Sequence, residues 1–376
     1  MNRIVSITMP KFGLSMTEGK VAAWLVEEGQ PVKRGTEIAD IETTKITNAF
    51  ESPVEGVMRR RIADIGIDLP VGALIAVFAD ESVSDADIDS FVDQQRAEFA
   101  ANSAATAASG AAQEPKKVAV GDGEIRYLET GNPDGSVAVL VHGFGGDLNN
   151  WLFTQPALAE SHRVIAIDLP GHGGSSKNLS SGTIEELGRK LLDFMAALNI
   201  ESAHLVGHSL GAAVIASAAS LDASKVASLT LIAPAGVGSE INQGFIDGFI
   251  QADRRKTLQP VLAELFADSS LVSRSMVEDI LRFKRLDGAV ECLNRIAAAN
   301  FKGGVQQSSI RNSLEKVKKP ILAIWGDEDK IIPPRQADSL PSGVKLLRLK
   351  GVGHMPHLEG AIAVNEQLLG FLAAGK

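Results

Sequence analysis

The residues best suited to chemistry are Gly207-His208-Ser209-Leu210-Gly211. A serine held between glycines at this spacing suits a nucleophile elbow, a sharp strand-to-helix turn that exposes the hydroxyl. The apolar stretch 203–206 before it reads as a strand, and the small residues Ala212, Ala213 and Ala216 after it read as the close-packing face of a helix. A serine hydroxyl needs a base to take its proton and a further group to orient that base. His354, in Gly351-Val352-Gly353-His354-Met355-Pro356-His357, is bounded by glycine after a strand-like stretch at 344–349, as suits a loop above a sheet. Three carboxylates compete for the orienting role in Gly326-Asp327-Glu328-Asp329-Lys330-Ile331-Ile332-Pro333. A tetrahedral oxyanion needs two backbone donors. One is expected at the amide of Leu210, the other in His142-Gly143-Phe144-Gly145-Gly146.

These residues need a scaffold, and the chain from Val118 onward supplies its pattern. Short apolar runs at 125–128, 137–141, 163–167, 203–206, 228–233 and 321–325 alternate with amphipathic segments, as expected for βαβ units around a mostly parallel sheet. Thr183 and Glu186 have the spacing of a capping box, followed by Ile184, Leu187, Leu191, Met195 and Leu198 at helical intervals. The helix-rich stretch 237–317 interrupts two core strands, as a cap would. His142 and His208 are read as structural or lining the site, and Asp168-Leu169-Pro170-Gly171-His172-Gly173 as shaping a turn after a strand. Arg254, Arg255, Lys256, Arg282, Lys284 and Arg285 are interspersed with acids and read as solvated helix faces, with a site for a ligand's phosphates as the alternative.

The first eighty residues are organised differently. Gly19, Gly29 and Gly35 are matched 37 residues later by Gly56, Gly66 and Gly72. Leu25, Val32, Ile38 and Ile41 are matched at the same offset by Ile62, Leu69, Ile75 and Phe78. Such a repeat predicts two similar sets of short strands facing each other across a core, with glycines at turns that need positive φ. Lys45 lies near the junction of the repeats, in Glu42-Thr43-Thr44-Lys45-Ile46-Thr47, where a hairpin would present it at one end of the unit. Residues 85–100 carry Ile88, Phe91, Val92, Gln95 and Phe99 on one helical stripe, read as a short helix that packs on this unit or stays mostly solvated, with a docking site for a partner subunit as the alternative. From Ala97 to Lys117 the chain reads as a mobile tether of Ala, Ser, Thr, Gln and Pro.

A net charge of −9 argues against a nucleic-acid surface, no apolar run reaches membrane-spanning length, and the start lacks the pattern of a secretory signal. One cysteine, Cys292, rules out an intrachain disulfide. A cytoplasmic protein is expected, without nucleic-acid or membrane partners and without a metal site.

Residues 2–79 resemble the lipoyl and biotinyl carrier domains. Met9-Pro10-Lys11 with Leu14-Ser15-Met16-Thr17-Glu18-Gly19 looks like the lipoyl branch of acyltransferase subunits, and Gly56 stands eleven residues after Lys45, as is typical there. Biotin carriers place Met on both sides of the lysine, whereas Thr44 and Ile46 stand here. The resemblance implies an all-β flattened barrel of lipoyl (biotinyl-like) type with lipoate carried on Lys45. The usual Asp before the lysine is replaced by Thr44. Residues 80–117 are then a linker with a possible short helix at 85–100.

Residues 118–372 resemble α/β-hydrolases, with a helical cap at about 237–317. The family order of serine, acid and histidine points to Ser209, Asp329 and His354, with Asp327 as runner-up, and to the amides of Phe144 and Leu210 as the oxyanion hole. The pairing of a carrier with this fold resembles the dihydrolipoamide acetyltransferase subunits of acetoin dehydrogenase complexes. None of the seven histidines has Asp four residues on, so the His-x-x-x-Asp-Gly motif of ordinary lipoyl acyltransferase domains is missing. The resemblance implies transfer of an acetyl group from lipoyl-lysine to coenzyme A as co-substrate, through an acyl-serine. It also implies partnership with a thiamine-dependent acetoin-cleaving enzyme and dihydrolipoamide dehydrogenase, and a homo-oligomeric assembly. Two alternatives are an esterase, thioesterase or C–C hydrolase carrying an accessory lipoyl domain, and a subunit that serves mainly as carrier and scaffold.

Overall fold

The computed structural model describes residues 4–10, 18–43, 47–108 and 114–373. The chain divides into two compact units, Met1–Glu114 and Pro115–Lys376.

The first unit holds β1 (Ile4–Thr8), β2 (Glu18–Trp24), β3 (Pro31–Val32), β4 (Glu37–Glu42), β5 (Thr47–Glu51), β6 (Gly56–Arg61), β7 (Asp68–Pro70) and β8 (Leu74–Ala79). They form two four-stranded sheets, ordered β1-β8-β6-β3 and β5-β4-β2-β7. The repeat accounts for this: β2, β3 and β4 correspond to β6, β7 and β8, and each half lends its short strand to the other half's sheet. Ile38 and Ile75 are fully buried, as are Ile41 and Phe78, so the paired apolar positions form a shared core. Leu25 departs from the expectation and is 45% exposed. Gly29, Gly35, Gly66 and Gly72 turn the chain at φ of 82–85°, while Gly19 lies inside β2.

The helix α1 (Asp85–Ala108) packs Ile88 and Val92 on Leu74, Val77 and Val83. It is longer than the expected 85–100 and takes up much of the expected tether. Alanine gives little to bury but is the strongest helix former, and the composition alone did not reveal this.

The second unit begins with β9 (Lys116–Val120), so Lys116 and Lys117, assigned to the linker, belong to a sheet strand. There follow β10 (Gly123–Gly131), β11 (Val137–Val141), α2 (Thr154–Ala159), β12 (Arg163–Ile167), α3 (Ile184–Ala197), β13 (Ala203–His208), α4 (Leu210–Leu221) and β14 (Val226–Ile232). A cap comes next: α5 (Gln243–Gln251), α6 (Arg255–Ala263), α7 (Arg274–Lys284), α8 (Ala289–Asn300), the small hairpin β15 (Phe301–Lys302) and β16 (Val305–Gln306), and α9 (Arg311–Lys316). The chain returns through β17 (Ile321–Gly326), β18 (Lys345–Leu349), α10 (Pro356–Glu359) and α11 (Ala361–Ala373).

The sheet order is β18-β17-β14-β13-β11-β12-β10-β9, parallel from β18 to β12 and antiparallel at the β10 and β9 edge. Its central strands are continuous apolar runs because they are covered on both faces. All six residues of β13 and all six of β17 are buried. The expected capping box at α3 is half formed. The Thr183 side chain accepts from the Glu186 N–H, but the Glu186 carboxylate turns to the N–H groups of Ser180, Ser181 and Gly182. Among the described residues no helix is long and apolar enough to cross a membrane.

Candidate active site

Ser209 sits between β13 and α4 at φ 52° and ψ −115°, a left-handed conformation that costs of order 1–3 kcal/mol in a residue with a Cβ. Its surroundings hold it there. Its N–H donates to the Ile232 carbonyl at 2.9 Å, and its own carbonyl accepts from Ala212 and Ala235, each at 3.1 Å. The flanking glycines answer a need for space. A Cβ on Gly207 would lie 2.5 Å from the Gly211 carbonyl oxygen, and one on Gly211 would lie 2.2 Å from that of Val141.

The Ser209 hydroxyl points at His354, whose Nε2 lies 3.0 Å from Oγ. His354 Nδ1–H donates to Asp329 Oδ2 at 2.8 Å. The other Asp329 oxygen accepts from the N–H groups of Ile331 and Ile332 at 2.8 and 2.9 Å, and the Trp325 indole N–H also reaches Oδ2 at 3.2 Å. The carboxylate is therefore fixed in the orientation that aims Oδ2 at the imidazole. All three residues are buried, at 7%, 2% and 6% exposure for Ser209, His354 and Asp329. The runner-up Asp327 instead accepts from Arg348 Nε at 2.7 Å. A hydroxyl, an imidazole and a carboxylate so arranged can remove the serine proton as oxygen attacks an acyl carbon.

The loop after β11 runs against the elbow, and a Cβ on Gly143 would lie 3.0 Å from that of Ser209. Within the described residues neither the Phe144 nor the Leu210 amide N–H is hydrogen-bonded, which leaves both available to an oxyanion. Gly145 has φ 74°, and a Cβ there would come 2.3 Å from the Phe249 ring of α5, so the cap closes directly on this loop. The Phe144 ring meets Phe249, Phe301 and His172 edge-on, at centroid distances of 5.9, 6.0 and 6.2 Å. The roof of the site is aromatic.

Two further histidines support this framework. His142 Nδ1–H donates to the Gly143 carbonyl at 2.8 Å while Nε2 accepts from the Leu169 N–H at 2.9 Å, tying the loop after β11 to the turn after β12. In that turn Asp168 accepts from the Leu148 and Gly174 N–H groups and pairs with Arg126. His208 Nε2–H donates to the His354 carbonyl at 2.8 Å, a link that sequence reading did not supply. Burial pushes the imidazoles of His142, His172 and His208 below their ordinary value, so they remain neutral packing groups. Of the basic residues, Lys284 Nζ donates to the carbonyls of Phe249, Ile250 and Ala252 at the end of α5 and is taken up in the cap itself. Arg282 pairs with Asp279 on an exposed helix face.

Lys45 lies outside the described residues. The strands that precede and follow it in the sequence, β4 and β5, pair antiparallel, with Glu42 opposite Thr47.

A family model for the alpha/beta hydrolase fold matches residues 138–361, and one of biotin/lipoyl type, described as biotin-requiring enzyme, matches residues 5–78. The chain is 47% identical to the dihydrolipoyllysine-residue acetyltransferase component of the acetoin cleaving system of Pseudomonas putida, over 99% of both chains. It is 43% identical to the component of the same name from Cupriavidus necator, over 97% of this chain and 96% of that one. Among solved structures, 2-hydroxy-6-oxo-6-phenylhexa-2,4-dienoate hydrolase from a Rhodococcus strain covers 69% of this chain and 99% of its own length, with a TM-score of 0.63. At 21% identity that likeness speaks for the fold alone. With a lipoyl-type unit, a hydrolase-fold unit and end-to-end similarity to both acetyltransferase components, the chain belongs to the family of dihydrolipoyllysine-residue acetyltransferase components of acetoin cleaving systems.

Proposed function

We propose that this chain moves an acetyl group from a lipoyl-lysine to coenzyme A within an acetoin-cleaving complex, through an acyl-enzyme on Ser209. The observation that carries the reading is the Ser209–His354–Asp329 relay in one chain with a lipoyl-type carrier unit. Lipoate on Lys45, when bound, supplies an acetyl thioester on a tethered arm. Tethering raises the local concentration of that thioester to roughly millimolar around the second unit.

Ser209 Oγ attacks the thioester carbonyl carbon while His354 Nε2 takes the hydroxyl proton. Asp329 holds the imidazole by Nδ1–H and stabilises the imidazolium. The Phe144 and Leu210 amides receive the negative oxygen of the tetrahedral species. The carbon–sulfur bond breaks, and His354 Nε2–H returns its proton to the leaving sulfur. The thiol of coenzyme A then gives its proton to His354 and attacks the acyl-serine. The carbon–oxygen bond breaks, and the serine oxygen recovers the proton. Water must be kept from the acyl-serine, and the aromatic roof of Phe144, Phe249 and Phe301 supports that.

The partners in this reading are a thiamine-dependent acetoin-cleaving enzyme, which loads the arm, and dihydrolipoamide dehydrogenase, which reoxidises it, around a homo-oligomer of this chain in the cytoplasm. The test supplies free acetyl-dihydrolipoamide with and without coenzyme A and measures both acetyl-coenzyme A and acetate. Acetyl-coenzyme A as the main product supports transfer. Acetate formed at one rate irrespective of coenzyme A overturns it in favour of hydrolysis.

A further inference from the structure

His354 is held by its backbone as firmly as by its ring. Its N–H donates to the Leu265 carbonyl at 2.8 Å, and its carbonyl accepts from His208 Nε2–H at 2.8 Å. Leu265 belongs to the cap segment between α6 and α7, and His208 belongs to the elbow. The base is thus threaded between the cap and the nucleophile turn. A Cβ on Gly353 would lie 2.7 Å from the Ala267 nitrogen and 2.9 Å from the Leu265 carbonyl oxygen, so the two segments touch along their backbones.

A single side chain spans this contact. Glu359, at the end of α10, accepts from the Gly353 N–H at 2.8 Å through Oε1 and from the Ala267 N–H at 2.7 Å through Oε2. The Met355 N–H approaches Oε1 at 3.4 Å. Burial pushes this carboxyl above its ordinary value, and these N–H groups act against the shift. Its hydrogen-bond partners among the described residues are backbone N–H groups. A partly buried carboxylate answered by backbone alone is costly to keep, and its two oxygens face two different segments, one bearing the base and one belonging to the cap. The same cap segment is tied to the acid loop. Asn242 Nδ2 donates both to Glu264 Oε2 at 2.7 Å and to the Lys330 carbonyl at 3.1 Å, and the Asn242 N–H donates to the Ile331 carbonyl at 2.9 Å.

We propose that Glu359 is a positioning residue for the base: by clamping Gly353 and Ala267 with its two oxygens it locks the His354 loop to the cap and so fixes the distance from Nε2 to Ser209 Oγ. The proposal rests on His354 being the base. It makes cap closure and activation of the serine one event, because the cap segment that covers the site also sets the base.

Glu359→Gln keeps one carbonyl acceptor and turns an amide N–H against the other backbone donor, so the clamp can hold only one segment. A displacement of the base by about 1 Å costs on the order of 100-fold. The expected result is a fall in kcat of about 10- to 100-fold with KM little changed, and an equal fall in the rate at which a fluorophosphonate labels Ser209 in the full chain. Glu186→Gln is the matched control, since Glu186 clamps the N–H groups of Ser180, Ser181 and Gly182 with no contact to the relay. It should lower the thermal midpoint and leave labelling at the wild-type rate. Labelling of Glu359→Gln at the wild-type rate, or a loss no larger than its unfolded fraction, overturns the proposal. Failure of the wild-type chain to label would overturn the base assignment itself. If Glu359→Gln does not fold, amide hydrogen exchange in the wild-type chain decides. Gly353 and Ala267 should exchange together at one rate, and unrelated rates overturn the clamp.

Discussion

In the first unit, Gly29 and Gly66 turn the chain at φ of 85° and 83°, with nothing within 4 Å of where a Cβ would sit. In the second, Gly211 shows no left-handed φ, yet a Cβ would fall 2.2 Å from one backbone oxygen and 2.4 Å from another. Glycine is used for its conformational range in the carrier unit and for its small size at the elbow. The carrier fold is a local rule applied twice, and the chemistry proposed for it rests on one lysine, Lys45, between its two halves. The relay is assembled from segments after β13, β17 and β18, with the loop after β11 lying against the elbow.

The most direct way to break this contrast is Ser209→Ala, expected to reduce acetyl transfer by about 10⁵- to 10⁶-fold while the mass increment on Lys45 persists. Transfer near the wild-type rate in steady-state assays would remove the second unit from the chemistry. Lys45→Ala should do the reverse. Flux through the reconstituted complex should fall to background, while transfer from free acetyl-dihydrolipoamide is unchanged and the intact mass loses the lipoyl increment. Gly211→Ala should destabilise the second unit by about 3 kcal/mol, since neither neighbouring carbonyl has a flexible end that can yield. Denaturant midpoints measure this, and a loss under 1 kcal/mol would show that the elbow has slack.

A smaller effect concerns His357, packed between the Trp151 and His208 rings with both ring nitrogens buried and unpartnered. Burial, aided by nearby His354, pushes its pKa down to about 3. The unfolded chain takes up this proton near pH 6.5, so the contribution is present above that pH and lost as pH falls toward 3, at about 1.4 kcal/mol per pH unit. His357→Phe should flatten the acid side of the stability profile, read from urea midpoints between pH 7 and 4. An unchanged slope would mean the ring is protonated in place. The smallest effects belong to the carrier. Gly29→Ala and Gly66→Ala should each cost about 1–2 kcal/mol, and by nearly equal amounts if the repeat is energetically symmetric.

The same contrast explains what could be read before the structure. The repeat was legible because its turns and apolar positions recur at one offset, and the elbow because five consecutive residues encode it. Ser209, Asp329 and His354 were nominated from motifs, and their junction at 2.8 and 3.0 Å is a property of the sheet order. Glu186 kept the spacing of a capping box, but three nearby N–H groups outcompeted the single one of Thr183. Glu359 went unread because one of its partners, Ala267, is 92 residues away and takes part only through its backbone. Alanine marks low burial and high helix propensity at once, so a composition rich in it reads as a tether where the chain continues α1 to Ala108. The cap sequence names no substrate, because aromatic residues such as Phe249 and Phe301 reveal their common focus only once folded.

The sheet order also has a consequence for biogenesis. Ser209 is formed at the end of β13, but its base follows β18, with β14 and the whole cap intervening along the chain. A ribosome delivers the nucleophile roughly 145 residues before the histidine that activates it. Until β18 docks beside β17, the elbow holds a serine without the base proposed for it, so a nascent or truncated chain would lack the relay. Reactivity arrives with the last strand of the sheet, and completion of the fold serves as the release of its own safety catch.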